Sequence, residues 1–113
     1  MKFLICDDDD LMLKKLSLLI KNSPENKCYS NKIIEITNPT DVNIADEYDV
    51  AFLDIDMPQM SGIDLARKIH EQWPNTVIIF ITNYVQYAPD GYEVGAFRYL
   101  MKNQITEKLI DYL

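Results

Sequence analysis

The chain has 113 residues, 48% of them apolar, which is room for one domain with a proper core and too much apolar content for a disordered segment. Eighteen acidic residues against eleven basic ones give a formal charge of −7, which repels nucleic acid and anionic membrane, so direct binding to either is not expected. The short apolar run Phe3 to Cys6 meets four aspartates at once, which excludes a signal peptide or membrane span there and leads us to expect a cytoplasmic protein.

Lys2 to Cys6 reads as a first strand, followed by acids and by a helical pattern in which Leu11, Leu16, Leu19 and Ile20 fall close to a 3.6-residue repeat. Asn22-Ser23-Pro24 stops that helix, Lys32 to Thr37 reads as a second strand, and Asn38-Pro39-Thr40 opens a short, weakly patterned helix around Asp41 to Glu47. Val50 to Leu53 is a third strand that runs into Asp54. After Pro58 and Gly62, the positions Ile63, Leu65, Ala66, Ile69 and Trp73 predict an amphipathic helix closed by Pro74. Thr76 to Ile81 is the most β-branched stretch and ends in Thr82. A polar, tyrosine-rich segment leads to a fifth strand, Ala96 to Met101, which runs into Lys102, and Ile105 to Leu113 begins a last helix.

Five apolar strands alternating with helical patterns imply a parallel sheet covered on both faces, an α/β sandwich, because strands without alternating polarity must be buried on both sides. No repeat, low-complexity linker or Gly/Pro/Ser-rich boundary divides residues 1–113, so one domain is expected. Its final helix should be cut short, since Ile110 and Leu113 stand uncapped at the end. The two cysteines, Cys6 and Cys28, and the one histidine, His70, lack zinc-site spacing. Idle thiols are a better expectation than a disulfide, and His70 reads as a solvated helix residue.

In an open parallel sheet, ligands bind at the carboxyl ends of the strands. Those ends are Asp7 and Asp8, Asp54, Thr82 and Lys102, so three carboxylates, a hydroxyl and an ammonium should converge on one rim. Carboxylates that close repel one another unless a cation joins them, and hard oxygen donors without sulfur or imidazole select Mg²⁺, with Mn²⁺ as the alternative. With such a cation one carboxylate can attack phosphorus, giving an aspartyl phosphate, while Thr82 and Lys102 meet the transferred oxygens. Asp9 and Asp10 read differently, as acids favoured at a helix start. Asp56 can cap a turn or offer its backbone carbonyl to the cation.

Phe3-Leu4-Ile5-Cys6-Asp7-Asp8-Asp9, Phe52-Leu53-Asp54-Ile55-Asp56-Met57-Pro58 with Gly62, Ile79-Phe80-Ile81-Thr82 and Tyr99-Leu100-Met101-Lys102 together resemble the receiver domain of bacterial two-component response regulators. The resemblance covers nearly the whole chain and implies a flavodoxin-like (βα)5 three-layer sandwich with strand order 2-1-3-4-5. It implies Asp54 as phosphoacceptor, Asp7 and Asp8 holding Mg²⁺ with Asp54 and the backbone carbonyl of Asp56, Thr82 as switch hydroxyl, Tyr99 as switch aromatic and Lys102 on the phosphoryl group. Residues 91–102 further resemble receivers joined to LytTR-type DNA-binding domains, so a C-terminal output domain is expected in the full protein. One departure is plain, for Asn103 follows Lys102 where the family usually has proline.

On this resemblance a sensor histidine kinase donates the phosphoryl group to Asp54. The response would remodel the surface made by the fourth helix, fifth strand and fifth helix, where Tyr84, Tyr87, Tyr92 and Phe97 supply aromatic area for a homodimer or an output domain. The domain would act as a switch with weak self-phosphorylation and autodephosphorylation rather than as a conventional enzyme, with Asp56 and Tyr84 tuning the phosphate's lifetime. Two other readings stay open at this point. One is a receiver-like interaction module that works without phosphorylation. The other is a haloacid-dehalogenase-type phosphatase, whose nucleophile motif Asp54-Ile55-Asp56-Met57 also resembles.

Overall fold

A computed structural model describes residues 1–22 and 32–82, and residues 96–101 as backbone. The elements are β1 (Lys2–Cys6), α1 (Asp10–Asn22), β2 (Lys32–Ile36), a 3-10 turn (Pro39–Asp41), β3 (Val50–Leu53), α2 (Gly62–Gln72), β4 (Val77–Thr82) and β5 (Ala96–Met101). The strands form one five-stranded sheet in the order β2-β1-β3-β4-β5, and each neighbouring pair is parallel. This is the expected α/β architecture with the expected strand order.

Successive side chains of a strand point to opposite faces of its sheet, and the central strands divide accordingly. Phe3 and Ile5 of β1, Phe52 of β3 and Ile79 and Ile81 of β4 pack with Leu13, Leu16 and Ile20 of α1. Leu4 and Cys6, Ala51 and Leu53, and Ile78 and Phe80 pack instead with Ile63, Leu65, Ala66 and Ile69 of α2. The rings of Phe3 and Phe52 stack at 6.3 Å between centroids across the β1–β3 pair. Each central strand is thus apolar on both faces, which is why its sequence shows no alternation.

The helix ends follow local chemistry. Asp9 accepts a hydrogen bond from the Leu11 N–H at 3.0 Å through its carboxylate and from the Leu13 N–H at 3.1 Å through its carbonyl, so it caps α1 as expected. Ser61 caps α2 by accepting from the Ile63 N–H at 3.1 Å, and the Trp73 N–H closes the other end on the Ile69 carbonyl.

Two expectations are corrected. Residues 41–47 do not form a helix. The Asn38 side chain caps one 3-10 turn, but Asn43 then turns its side-chain oxygen to the Ala45 N–H and its carbonyl to the Asp46 N–H, so local bonds replace the helical ladder. Trp73 fixes this connection from α2 by donating its indole N–H to the Ile44 carbonyl at 2.9 Å. On α1 the buried stripe is Leu13, Leu16, Ser17 and Ile20, whereas Leu11 is 79% exposed. The helix carries more leucines than one face can bury, and the repeat beginning at Leu13 is the one that faces the sheet. Cys28, Tyr84, Tyr87, Tyr92, Lys102, Asn103 and the final helix lie outside the described residues, as do the side chains of Phe97 and Tyr99.

Candidate metal centre and phosphoacceptor site

The sheet register decides which residues meet at the rim. Cys6 stands opposite Leu53 in the β1–β3 pair and Leu53 opposite Phe80 in the β3–β4 pair, so the residues that follow these strands leave the sheet at one level. The Asp54 N–H donates to the Cys6 carbonyl at 2.9 Å, one step beyond the last paired residues. Asp7 follows Cys6 directly and Asp54 follows Leu53. Both carboxylates are therefore delivered by the central strand β3 and its neighbour β1, each paired with a strand on both sides.

Asp7 and Asp54 are 1% and 4% exposed, whereas Asp8 is open to solvent. One carboxylate oxygen from each of the three lies within 4.8 Å of the others. At an effective dielectric near 20, two such charges repel by roughly 3 kcal/mol, which a divalent cation would reverse. The donors are hard oxygens, buried at Asp7 and Asp54 and open at Asp8, and they fit Mg²⁺ or Mn²⁺, which retain water in part of their shell. Asp7 also accepts the Asp9 N–H at 2.9 Å, which ties the carboxylate rim to the cap of α1.

The loop after β3 is drawn tight under the site. Its Ile55 carbonyl accepts from both the Met57 N–H at 3.2 Å and the Gly62 N–H at 2.9 Å. Gly62 passes so close to the strand end that a β-carbon there would stand 1.9 Å from the Asp54 carbonyl oxygen. The Met57 side chain, 5% exposed, reaches back to β1, where its sulfur lies 3.8 Å from the Cys6 thiol. Burial, with the charges of Asp7, Asp54 and Asp8 adding to it, pushes that thiol up to about 12. Cys6 is accordingly an S–H group at neutral pH, as expected of an idle thiol.

Of the residues expected at the site, Asp7, Asp8 and Asp54 come together, and Thr82 ends β4, fully buried. Met101, which precedes Lys102, stands opposite Thr82 in the β4–β5 register. The Asp56 side chain is exposed. The close approach of Gly62 and the Cys6–Met57 contact were not legible as such, although all three residues lie within the segments that carry the resemblance. His70 is half-buried rather than fully solvated, with its Nδ1 enclosed and no hydrogen-bond partner among the described residues.

A parallel sheet whose β1 and β3 end in three carboxylates that one cation could join places a candidate ligand site at the carboxyl ends of its strands. The profile of the response regulator receiver domain matches residues 3–113, and the chain belongs to that family. It is 32% identical over 114 residues to an uncharacterized response regulatory protein of Vibrio cholerae, covering 93% of this chain and 40% of that one. The sensory transduction protein LytT of Bacillus subtilis is 31% identical over 109 residues, covering 96% and 45%. The transcriptional regulatory protein LytR of Staphylococcus aureus is 31% identical over 102 residues, covering 90% and 41%. The chain thus spans less than half the length of these relatives, and they agree with its resemblance to LytTR-type receivers. Among solved structures, the BeF3-activated DrrB receiver domain superposes with a TM-score of 0.85 at 27% identity, covering 98% of this chain and 92% of that one. The response regulatory domain of protein mrkE from Klebsiella pneumoniae gives 0.85 at 29%, covering 98% and 90%. Among the described residues no helix is long and apolar enough to cross a membrane.

Proposed function

We propose that this receiver accepts a phosphoryl group on Asp54 from the phosphohistidine of a sensor histidine kinase. The observation that carries the reading is the convergence of the Asp7, Asp8 and Asp54 carboxylates at the ends of β1 and β3. In the transfer the P–N bond to the donor imidazole breaks and a P–O bond to an Asp54 carboxylate oxygen forms, the electron pair leaving with the imidazole nitrogen. Asp7 and Asp8, with Asp54 and the Asp56 carbonyl, would hold Mg²⁺, or Mn²⁺ in its place. Such a cation supplies charge neutralisation for the transferred oxygens. Lys102 adds a second positive charge there and the Thr82 hydroxyl a hydrogen bond.

Once Asp54 carries phosphate, Thr82 is drawn toward it and Tyr99 follows into the space released, which couples charge to packing. The readout is the face expected to carry Tyr84, Tyr87, Tyr92 and Phe97, through a homodimer or through a C-terminal DNA-binding domain of LytTR type. The similarity to the transcriptional regulatory protein LytR of Staphylococcus aureus supports transcription control as the output. Asp56 and Tyr84, each two residues beyond a site residue, tune the lifetime of the acyl phosphate, which the domain hydrolyses slowly. The protein works in the cytoplasm, and its acidic receiver touches neither DNA nor membrane.

Intact mass after incubation with acetyl phosphate, with and without Mg²⁺, tests the reading on wild type and Asp54→Ala. A Mg²⁺-dependent gain of one phosphoryl group, about 80 Da from the added covalent group, is expected in the wild type only. Absence of the adduct, together with no response to beryllofluoride, would overturn it in favour of a phosphorylation-independent module.

A further inference from the structure

Cys6 touches three parts of the site without belonging to its chemistry. Its carbonyl accepts the Asp54 N–H, its thiol meets the Met57 sulfur, and its own peptide leads into Asp7. Met57 stands on the other side of that contact, directly after Asp56. The Met57 N–H is committed to the Ile55 carbonyl. In a trans peptide the carbonyl of one residue points opposite to the N–H of the next, so this bond turns the Asp56 carbonyl away from Ile55. The side chain then fixes where the turned peptide sits, because Met57 and Cys6 are both sealed in the core beneath α2, 5% and 0% exposed. Gly62 holds the far end of the loop on the Ile55 carbonyl, and the sulfur contact ties its near end to β1.

We infer that Cys6 and Met57 are positioning residues, whose buried Sγ–Sδ contact sets the Asp56 carbonyl against the Asp7 and Asp54 carboxylates and thereby sets the cation affinity of the site. The inference rests on the metal-binding reading above and deepens it. Neither residue touches the cation or the phosphoryl group. Their effect runs through the spacing of the donors, and supporting residues of this kind are worth roughly tenfold or more in metal affinity.

The test is a titration of the unphosphorylated chain with Mn²⁺, following free Mn²⁺ by its electron paramagnetic resonance signal, with folding checked by circular dichroism. Met57→Ala should weaken Mn²⁺ binding about tenfold, and Cys6→Ala should weaken it in the same direction. The double variant should be no weaker than Met57→Ala alone, because both substitutions remove one contact. Met57→Leu, which keeps the bulk against Cys6, should bind within about twofold of wild type. A folded Met57→Ala with wild-type affinity overturns the proposal, and so do two single effects that simply multiply. Should Met57→Ala not fold, Cys6→Ala decides, and wild-type affinity in it is the overturning result. A wild-type chain that holds no Mn²⁺ overturns the metal reading itself, a distinguishable result because every variant then behaves alike.

Discussion

Gly62 lies so close to Asp54 that its missing β-carbon would overlap the Asp54 carbonyl, at 1.9 Å from the oxygen and 2.8 Å from the carbon. Both atoms are backbone at the end of a central strand, which cannot swing aside as a side chain tip would. Gly62→Ala should therefore cost roughly 2 to 4 kcal/mol, read as a lower urea midpoint at an unchanged slope. Because the displaced atoms belong to Asp54, acetyl phosphate labelling should fall further than the loss of folded protein explains.

The crowding of Asp7, Asp8 and Asp54 gives a prediction about charge. Without divalent cations, Asp54→Asn should raise stability by about 1 kcal/mol, a fraction of the repulsion that a charge pair at this spacing carries. Adding Mg²⁺ should raise the melting temperature of the wild type, through binding to the folded state alone, and have much less effect on Asp54→Asn. Thermal melts in EDTA and in excess Mg²⁺ check both halves. A variant less stable than wild type in EDTA would show that the bonds made by the Asp54 carboxylate outweigh its repulsion.

Tyr48 supplies a pH dependence away from the site. It is 2% exposed, and burial followed by the charge of Asp46 raises its phenol above the ordinary value of 10. An acid with a raised pKa in the folded state is held neutral there, so its contribution is complete below pH 10 and is lost as pH rises through the raised value. Stability of the wild type should fall faster above pH 10 than that of Tyr48→Phe. At neutral pH the two should differ by less than about 1 kcal/mol, since the hydroxyl makes one long bond, 3.4 Å to the Asn43 carbonyl.

Trp73 tests what replaces the missing helix between β2 and β3. Its indole N–H is bonded to the Ile44 carbonyl across the connection. Trp73→Phe removes the donor and leaves that carbonyl with one partner fewer, a loss of about 1 kcal/mol to be followed by circular dichroism, since the chain's one tryptophan is then gone.

The strands were legible because short apolar runs that stop at a charged residue allow few alternatives. Lys2 to Cys6, Val50 to Leu53 and Ala96 to Met101 have the bounds the sequence predicts. The three site carboxylates were legible for the same reason, standing one or two residues past a strand. The second helix was misread because Asn38-Pro39-Thr40 is a genuine start signal but says nothing about propagation, which Asn43 blocks by bonding to its own neighbours. Leu11 was misplaced because seven of the ten residues from Leu11 to Ile20 are apolar, so several stripes fit a helical repeat and only packing against Phe3 and Ile5 selects one. The Cys6–Met57 contact joins residues 51 positions apart, and no local pattern encodes such a meeting.

Because β1 and β3 are packed on both faces, the peptide link between them is protected from both sides. The Asp54 amide, bonded to the Cys6 carbonyl at 2.9 Å, should be among the slowest in the chain to exchange its hydrogen for deuterium, opening only with the whole fold. A residue read as a nucleophile at a solvent-facing rim would then have one of the most rigid main-chain anchors in the molecule, so the movement that carries a signal must begin in side chains rather than in the strand that holds Asp54.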